Sequence, residues 1–205
     1  MRRWIRKRLL AWYEKNGRDF AWRHTTDPYQ VLMAEMMVQR TQARQAEKVW
    51  KEWVAAYPTI EDAARSPRCE LLKRLGPLGL RWRAKNIVDV VKMRPSLASP
   101  ASLRQLPGVA RYVENATACF AFQEPRSLVD ANVLRVLARL AGATPTDHTR
   151  RSRTFLRFAD SLVPESRVRD YNWALLDLGA TVCGPRRPSC DRCPLAARCL
   201  TRRGA

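Results

Sequence analysis

LRQLPGVARYVENATACFAFQEPRSLVD, residues 103–130, is the stretch on which the reading of this chain turns. It predicts a short helix, a tight turn, a second helix and a carboxylate at the start of a third. Ser99 and Pro100 suit the N-cap and first position of the lead-in helix. Leu103 and Leu106 would face inward before Pro107-Gly108 breaks the chain. Val113, Ala116 and Phe120 then recur at helical spacing. A turn feeding a helix N-terminus aims backbone N–H groups, reinforced by the helix dipole, at an anion. The plainer alternative is an ordinary αα-hairpin in which Asp130 serves only as an N-cap.

Outward from this stretch, charge narrows the choice of anion. Of 205 residues, 38 are Lys or Arg and 19 are Asp or Glu, a net +19, which calls for a polyanionic partner. Basic membrane-surface proteins concentrate charge opposite one apolar helical face. Here the cations run through the whole chain, so nucleic acid is favoured over a membrane. An apolar content of 46% fits a folded globular protein with a proper core. No apolar run approaches the roughly twenty residues that span a bilayer. The N-terminal MRRWIRKRLLAWYEK lacks a secretory apolar region, so a cytoplasmic, nucleoid-associated protein without disulfides is expected.

Upstream, residues 4–16 predict an amphipathic helix with Trp4, Leu9 and Trp12 apolar and Arg2, Arg3, Arg6, Lys7 and Arg8 solvated. YQVLMAEMMVQRT, residues 29–41, is an apolar helix interrupted by one acid, Glu35. Desolvation raises a carboxyl pKa, which would make Glu35 a proton donor near neutrality. A buried Glu paired with an arginine is the alternative. Further helices are expected over 43–57, where Val49, Trp50 and Trp53 are core candidates, and over 60–75, where Cys69 would be a buried small hydrophobe. Gly76-Pro-Leu-Gly79 marks a tight turn before a helix ending near Val91. His24 and His148 read as loop or surface histidines.

Downstream, Val133, Val136, Leu137 and Leu140 form a helical stripe. A loop over 142–149 and two more helices, the last over 170–181, lead to Cys183, Cys190, Cys193 and Cys199. Their spacing is C-x6-C-x2-C-x5-C within seventeen residues. Four thiolates this close imply a metal centre, and zinc and iron–sulfur both accept such a set. Cys119, outside the loop, reads as core. No convincing strand is found, so the fold class is all-α.

The segments LPGVARYVENATACFAF and LVDANVLRV resemble the helix-hairpin-helix and Asp loop of the endonuclease III / MutY superfamily of DNA glycosylases. WRHTTDPYQVLMAEMMVQRTQ resembles the MutY segment bearing the catalytic Glu, and the cysteine spacing is similar to the superfamily's 4Fe–4S loop. The resemblance covers nearly the whole chain. It implies two helical domains flanking a DNA-binding active cleft. One is a six-helix barrel over 24–125; the other is a cluster domain built from 1–23 and 126–205. It further implies Asp130 and Glu35 as catalytic residues, with Asp130 kept ionised at its helix N-terminus. The 4Fe–4S ligands would be Cys183, Cys190, Cys193 and Cys199. Gln39, Arg40, Leu106, Gly108, Ala110 and Arg111 would contact double-stranded DNA, with the protein acting as a monomer. The superfamily usually writes Leu-Pro-Gly-Val-Gly, whereas this chain has Ala110, and a Cβ is less comfortable at a strained turn.

Tyr112 stands where bifunctional members carry a Schiff-base lysine. A phenol cannot form an imine, so base excision with weak or no strand cleavage is expected. RDYNWALLDLGATVCGPRRPSC, with Tyr112, resembles the MIG-type mismatch glycosylases that remove thymine or uracil opposite guanine. Adenine glycosylases of the MutY type usually show paired tyrosines where Leu80 and Arg81 stand here, and append a further domain that this sequence does not show. Excision of adenine opposite guanine or oxidised guanine is the second reading. A non-catalytic, cluster-bearing DNA-binding protein is the third.

Overall fold

The structure, a computed structural model, describes residues 1–203; the last two positions of the expected cluster domain, 204 and 205, lie outside the described residues. In chain order the α-helices are α1 (Arg2–Asn16), α2 (Pro28–Val38), α3 (Ala43–Ala56), α4 (Ile60–Arg65), α5 (Arg68–Leu75) and α6 (Arg81–Met93). They continue as α7 (Arg111–Phe122), α8 (Ala131–Leu140), α9 (Asp147–Arg151), α10 (Arg153–Leu162), α11 (Val168–Thr181) and α12 (Leu200–Arg203). Short 3-10 turns fill several connections, and no strand occurs among the described residues. The fold is all-α, as the sequence predicts. No described helix is long and apolar enough to cross a membrane.

The chain packs as two units, Asp19–Gln123 and Met1–Arg18 with the chain from Glu124 onward. In the first, α2 is the central element, packed against α3, α6 and α7. Asp27 caps it by accepting from the Gln30 amide at 2.8 Å, and Pro28 supplies the first helical position. Tyr29 and every residue from Val31 to Met37 are buried, which an apolar helix tolerates only when covered on all sides. Trp53 donates to the Tyr29 hydroxyl at 2.7 Å, and Tyr29 donates to the Tyr57 carbonyl, so these buried aromatic polar atoms are satisfied within the core. The single helix expected over 60–75 is two helices. α4 starts in a Thr59/Asp62 capping box and stops at Ser66, because Pro67 disfavours helical backbone before it. Cys69 faces solvent rather than the core, whereas Cys119 is buried.

In the second unit, α11 packs against α1 and α8. Asp177, fully buried, accepts from the Arg18 backbone at 2.8 Å and from its guanidinium at 2.7 Å, which fixes the end of the N-terminal segment on α11. Arg6 is not merely solvated: it donates to the Ser161, Leu162 and Val163 carbonyls and so satisfies the C-terminus of α10. Part of the expected 142–149 loop is helical, because Thr146 caps α9 through the Thr149 amide.

Candidate active site and nucleic-acid interface

In the unit spanning 19–123, Glu35 lies in the middle of α2 and is only 5% exposed. The chain leaves α2 through Gln39, half-buried, and Arg40, exposed, so both side chains sit at the rim of this unit. The hairpin follows its expected course. Leu103 and Leu106 are buried, and Gly108 takes the left-handed φ of +75° that lets the turn close. A Cβ there would fall 2.6 Å from the Asn86 side chain, so this position needs glycine twice over. Ala110 has extended backbone at φ −83°, so the residue in place of the family's second glycine sits without strain. Leu106 turns its side chain inward, its N–H donates to the Leu103 carbonyl at 3.0 Å and its carbonyl accepts from the Val109 N–H at 3.1 Å, so it shapes the turn from within. Gly108, Ala110 and Arg111 are exposed. Ala110 makes no side-chain cap on α7, a helix start that begins directly after the Gly108 turn. Arg104 pairs with buried Glu114 at 3.0 Å and staples the lead-in turn to α7. Tyr112, in the first turn of α7, is partly buried against the core.

In the other unit, Asp130 caps α8 by accepting from the Val133 amide at 2.7 Å, and its second oxygen accepts from the Asn132 side chain at 3.1 Å. Burial pushes its carboxyl above the usual aspartate range; the Val133 amide, then Asn132, then the Arg135 charge oppose it. Desolvation by burial is thus the largest influence on this carboxyl, and the cap acts against it. Asn132 Oδ1 accepts from Arg135 at 2.8 Å, and the same guanidinium donates to the carbonyls of Gly179 and Cys183, each at 2.7 Å. One turn on, Arg139 donates to Cys183 Sγ at 3.4 Å and to the Gly184 and Pro185 carbonyls at 2.7 Å. The Arg139 carbonyl accepts from Cys199 Sγ at 3.4 Å. Arg135 and Arg139 were not singled out from sequence, because an i, i+4 pair of arginines beside an apolar stripe reads as a solvated face.

Cys183, Cys190, Cys193 and Cys199 are all partly buried in one loop. Burial raises the Cys193 thiol to about 11; the Leu195 amide opposes this, and Cys183, Cys199 and Cys190 push it further up. The four thiols are partly desolvated, a donor type that iron–sulfur clusters and zinc both accept. Among the described residues, no three His, Cys, Asp or Glu side chains are drawn to the spacing of a metal-binding group.

Comparison with known proteins places these features in a family. Residues 33–159 match the family model described as HhH-GPD superfamily base excision DNA repair protein. The chain is 31% identical over 198 residues to the thymine/uracil-DNA glycosylase of Methanothermobacter thermautotrophicus, covering 93% of this chain and 90% of that one. It is 36% identical over 205 residues to the adenine DNA glycosylase of Mycobacterium tuberculosis, covering 91% of this chain and 64% of that protein. A solved thermostable thymine-DNA glycosylase superposes with a TM-score of 0.91 at 30% identity, covering 100% of this chain and 97% of that structure. With that match over residues 33–159 and these likenesses along nearly the whole chain, the chain belongs to the HhH-GPD superfamily of base excision DNA repair proteins.

Proposed function

We propose that this chain is a DNA glycosylase that removes thymine or uracil mispaired with guanine, hydrolysing the N-glycosidic bond without cutting the strand. The observation that carries the reading is the likeness over the whole chain to a thymine-DNA glycosylase at 30% identity. A duplex base is out of reach until it is extruded, which costs least when it is mispaired. In the reaction, water forms a bond to C1′ of the sugar while the bond to the base breaks and its electron pair leaves with the base. The Asp130 carboxylate, aimed by Val133 and Asn132, stabilises the positive sugar and takes the proton of the attacking water. Glu35, buried in α2, hydrogen-bonds or protonates the departing base. Tyr112 has no amine with which to trap the sugar as an imine, so the abasic product is released with its strand intact.

Gln39 and Arg40 are assigned to entering the duplex, and the Gly108–Arg111 turn to holding a phosphate. Cys183, Cys190, Cys193 and Cys199 would hold a 4Fe–4S cluster, each giving one thiolate, and the cluster would serve to cross-link the loop. Excision of adenine is the second reading, favoured by the 36% identity to an adenine glycosylase. Leu80 and Arg81, in place of paired tyrosines, argue against it.

Single-turnover assays on duplexes carrying T, U or A opposite G, and A opposite oxidised guanine, with and without alkali, decide between them. T and U should be excised, with strand breaks only after alkali. Activity confined to A-containing pairs would overturn the pyrimidine assignment. Binding without excision, unchanged in Asp130→Asn, would leave a non-catalytic DNA-binding protein. Purified protein should carry roughly four irons per chain with matching sulfide; stoichiometric zinc instead would overturn the cluster.

A further inference from the structure

The turn that follows α2 takes an unusual backbone. Arg40 sits at φ +52°, a left-handed conformation that side chains rarely adopt unless their surroundings impose it. What imposes it lies far along the sequence. Arg83, in the first turn of α6, is only 1% exposed. Its guanidinium donates to the Met37 carbonyl at 3.1 Å, to the Gln39 carbonyl, and to the Thr41 hydroxyl and Leu78 carbonyl, each at 2.7 Å. Thr41 Oγ1 in turn donates to the Leu78 carbonyl at 3.4 Å, and Gln45 donates to the Pro77 carbonyl. One buried cation therefore holds two turns, 37–41 and 76–79, together.

The four acceptors are neutral oxygens, so little Coulombic attraction offsets the desolvation that lowers the Arg83 pKa. A packing role would be met at lower cost by an apolar side chain. What only a planar fork of five donors supplies is the simultaneous fixing of several carbonyls in one orientation. Three of its four acceptors, the Met37 and Gln39 carbonyls and the Thr41 hydroxyl, belong to the turn that carries Gln39 and Arg40.

We propose that Arg83 is a positioning residue that preforms the Gln39–Arg40–Thr41 turn for entry into the duplex. This rests on the reading of Gln39 and Arg40 given under Proposed function. A turn already folded does not pay its ordering entropy on meeting DNA, so the binding energy is left to unstack the mismatched base.

The test uses the full-length chain, with Arg83→Lys, which keeps the charge but not the fork, and Thr41→Val, which removes one acceptor and leaves the guanidinium in place. Amide hydrogen exchange of the free protein reads the turn without DNA. Binding to matched and T·G duplexes, with 2-aminopurine beside the mismatch, reads its use. Arg83→Lys should speed exchange over 38–42 and 77–80 about tenfold, and cut the preference for the mismatch and its 2-aminopurine signal by about as much, the equivalent of ordering one further residue. Matched-duplex binding should stay unchanged, and Thr41→Val should shift both readouts the same way by less. Unchanged exchange in both variants would show that Arg83 does not hold the turn. Faster exchange with intact mismatch preference would show that the turn need not be preformed. Equal loss of matched and mismatched binding would reduce Arg83 to a structural residue. If the wild type has no mismatch preference, the proposed substrate fails instead, and the exchange data alone decide whether Arg83 holds the turn.

Discussion

Arg135 donates a hydrogen bond to the carbonyl of Cys183 at 2.7 Å from the guanidinium that also holds Asn132, the residue that orients Asp130. The cysteine loop and the proposed catalytic carboxylate are therefore joined through one side chain. Arg135→Met should keep the helical fold, since Asp130 still caps α8 by accepting from the Val133 amide, but let Asn132 swing away. Excision should fall about 10–100-fold, as for other supporting residues of this kind. The loop around Cys183 should also become more sensitive to limited proteolysis. Wild-type rates in this variant would show that Asp130 holds its position without the link.

Asp130→Asn should lower single-turnover excision by at least about 10³-fold, the scale on which electrostatic groups of this kind act, while mismatch binding persists. Its stability consequence follows from the upward shift of the native carboxyl above the ordinary 3.8. Folding penalises the ionised form, so the penalty is absent at pH below the unfolded value and fully present above the native one. Asn, also a good N-cap, removes it. Thermal melts should therefore favour Asp130→Asn at pH 7, with the advantage vanishing as pH falls through the carboxylate range. If the ionised form acts as proposed, the acid limb of the wild-type pH–rate profile should lie above 3.8.

Tyr112→Phe should leave product strands intact until alkali is added, because neither ring can form an imine. Tyr112→Lys introduces an amine at the same position, and borohydride should then trap a covalent protein–DNA adduct absent from the wild type. A trapped adduct in Tyr112→Phe would point to a different nucleophile and overturn the monofunctional reading.

Gly108→Ala forces a side chain into a left-handed position and against Asn86, 2.6 Å away. Destabilisation of about 1–3 kcal/mol is expected, measured by chemical denaturation. Matched-duplex affinity should drop with it, because the displaced turn no longer aims its N–H groups. Ala110→Gly, at an extended position, should change neither by much.

The sequence by itself determined the all-α class, the order of the longer helices and the residue types with chemical capacity. The Leu-Pro-Gly turn, Asp130 before an apolar stripe, Glu35 inside an apolar helix and four closely spaced cysteines are local patterns, and local patterns depend on neighbours a few residues away. Two local signals outweigh periodicity: Pro67 ends the helix that starts after Thr59, and Thr146 starts another inside the expected 142–149 loop. Cys69, in α5, shows the limit of residue type alone, since a small thiol packs equally well inside or out. Tertiary structure alone decided the work of the arginines. Arg6, Arg83, Arg135 and Arg139 look like four more charges on a chain of 38 basic residues. Each instead reaches carbonyls distant in sequence, from Arg83 spanning back to Met37 to Arg139 reaching forward to Pro185. A long side chain with donors at its end can serve solvent, phosphate or backbone, and only the packing around it selects which.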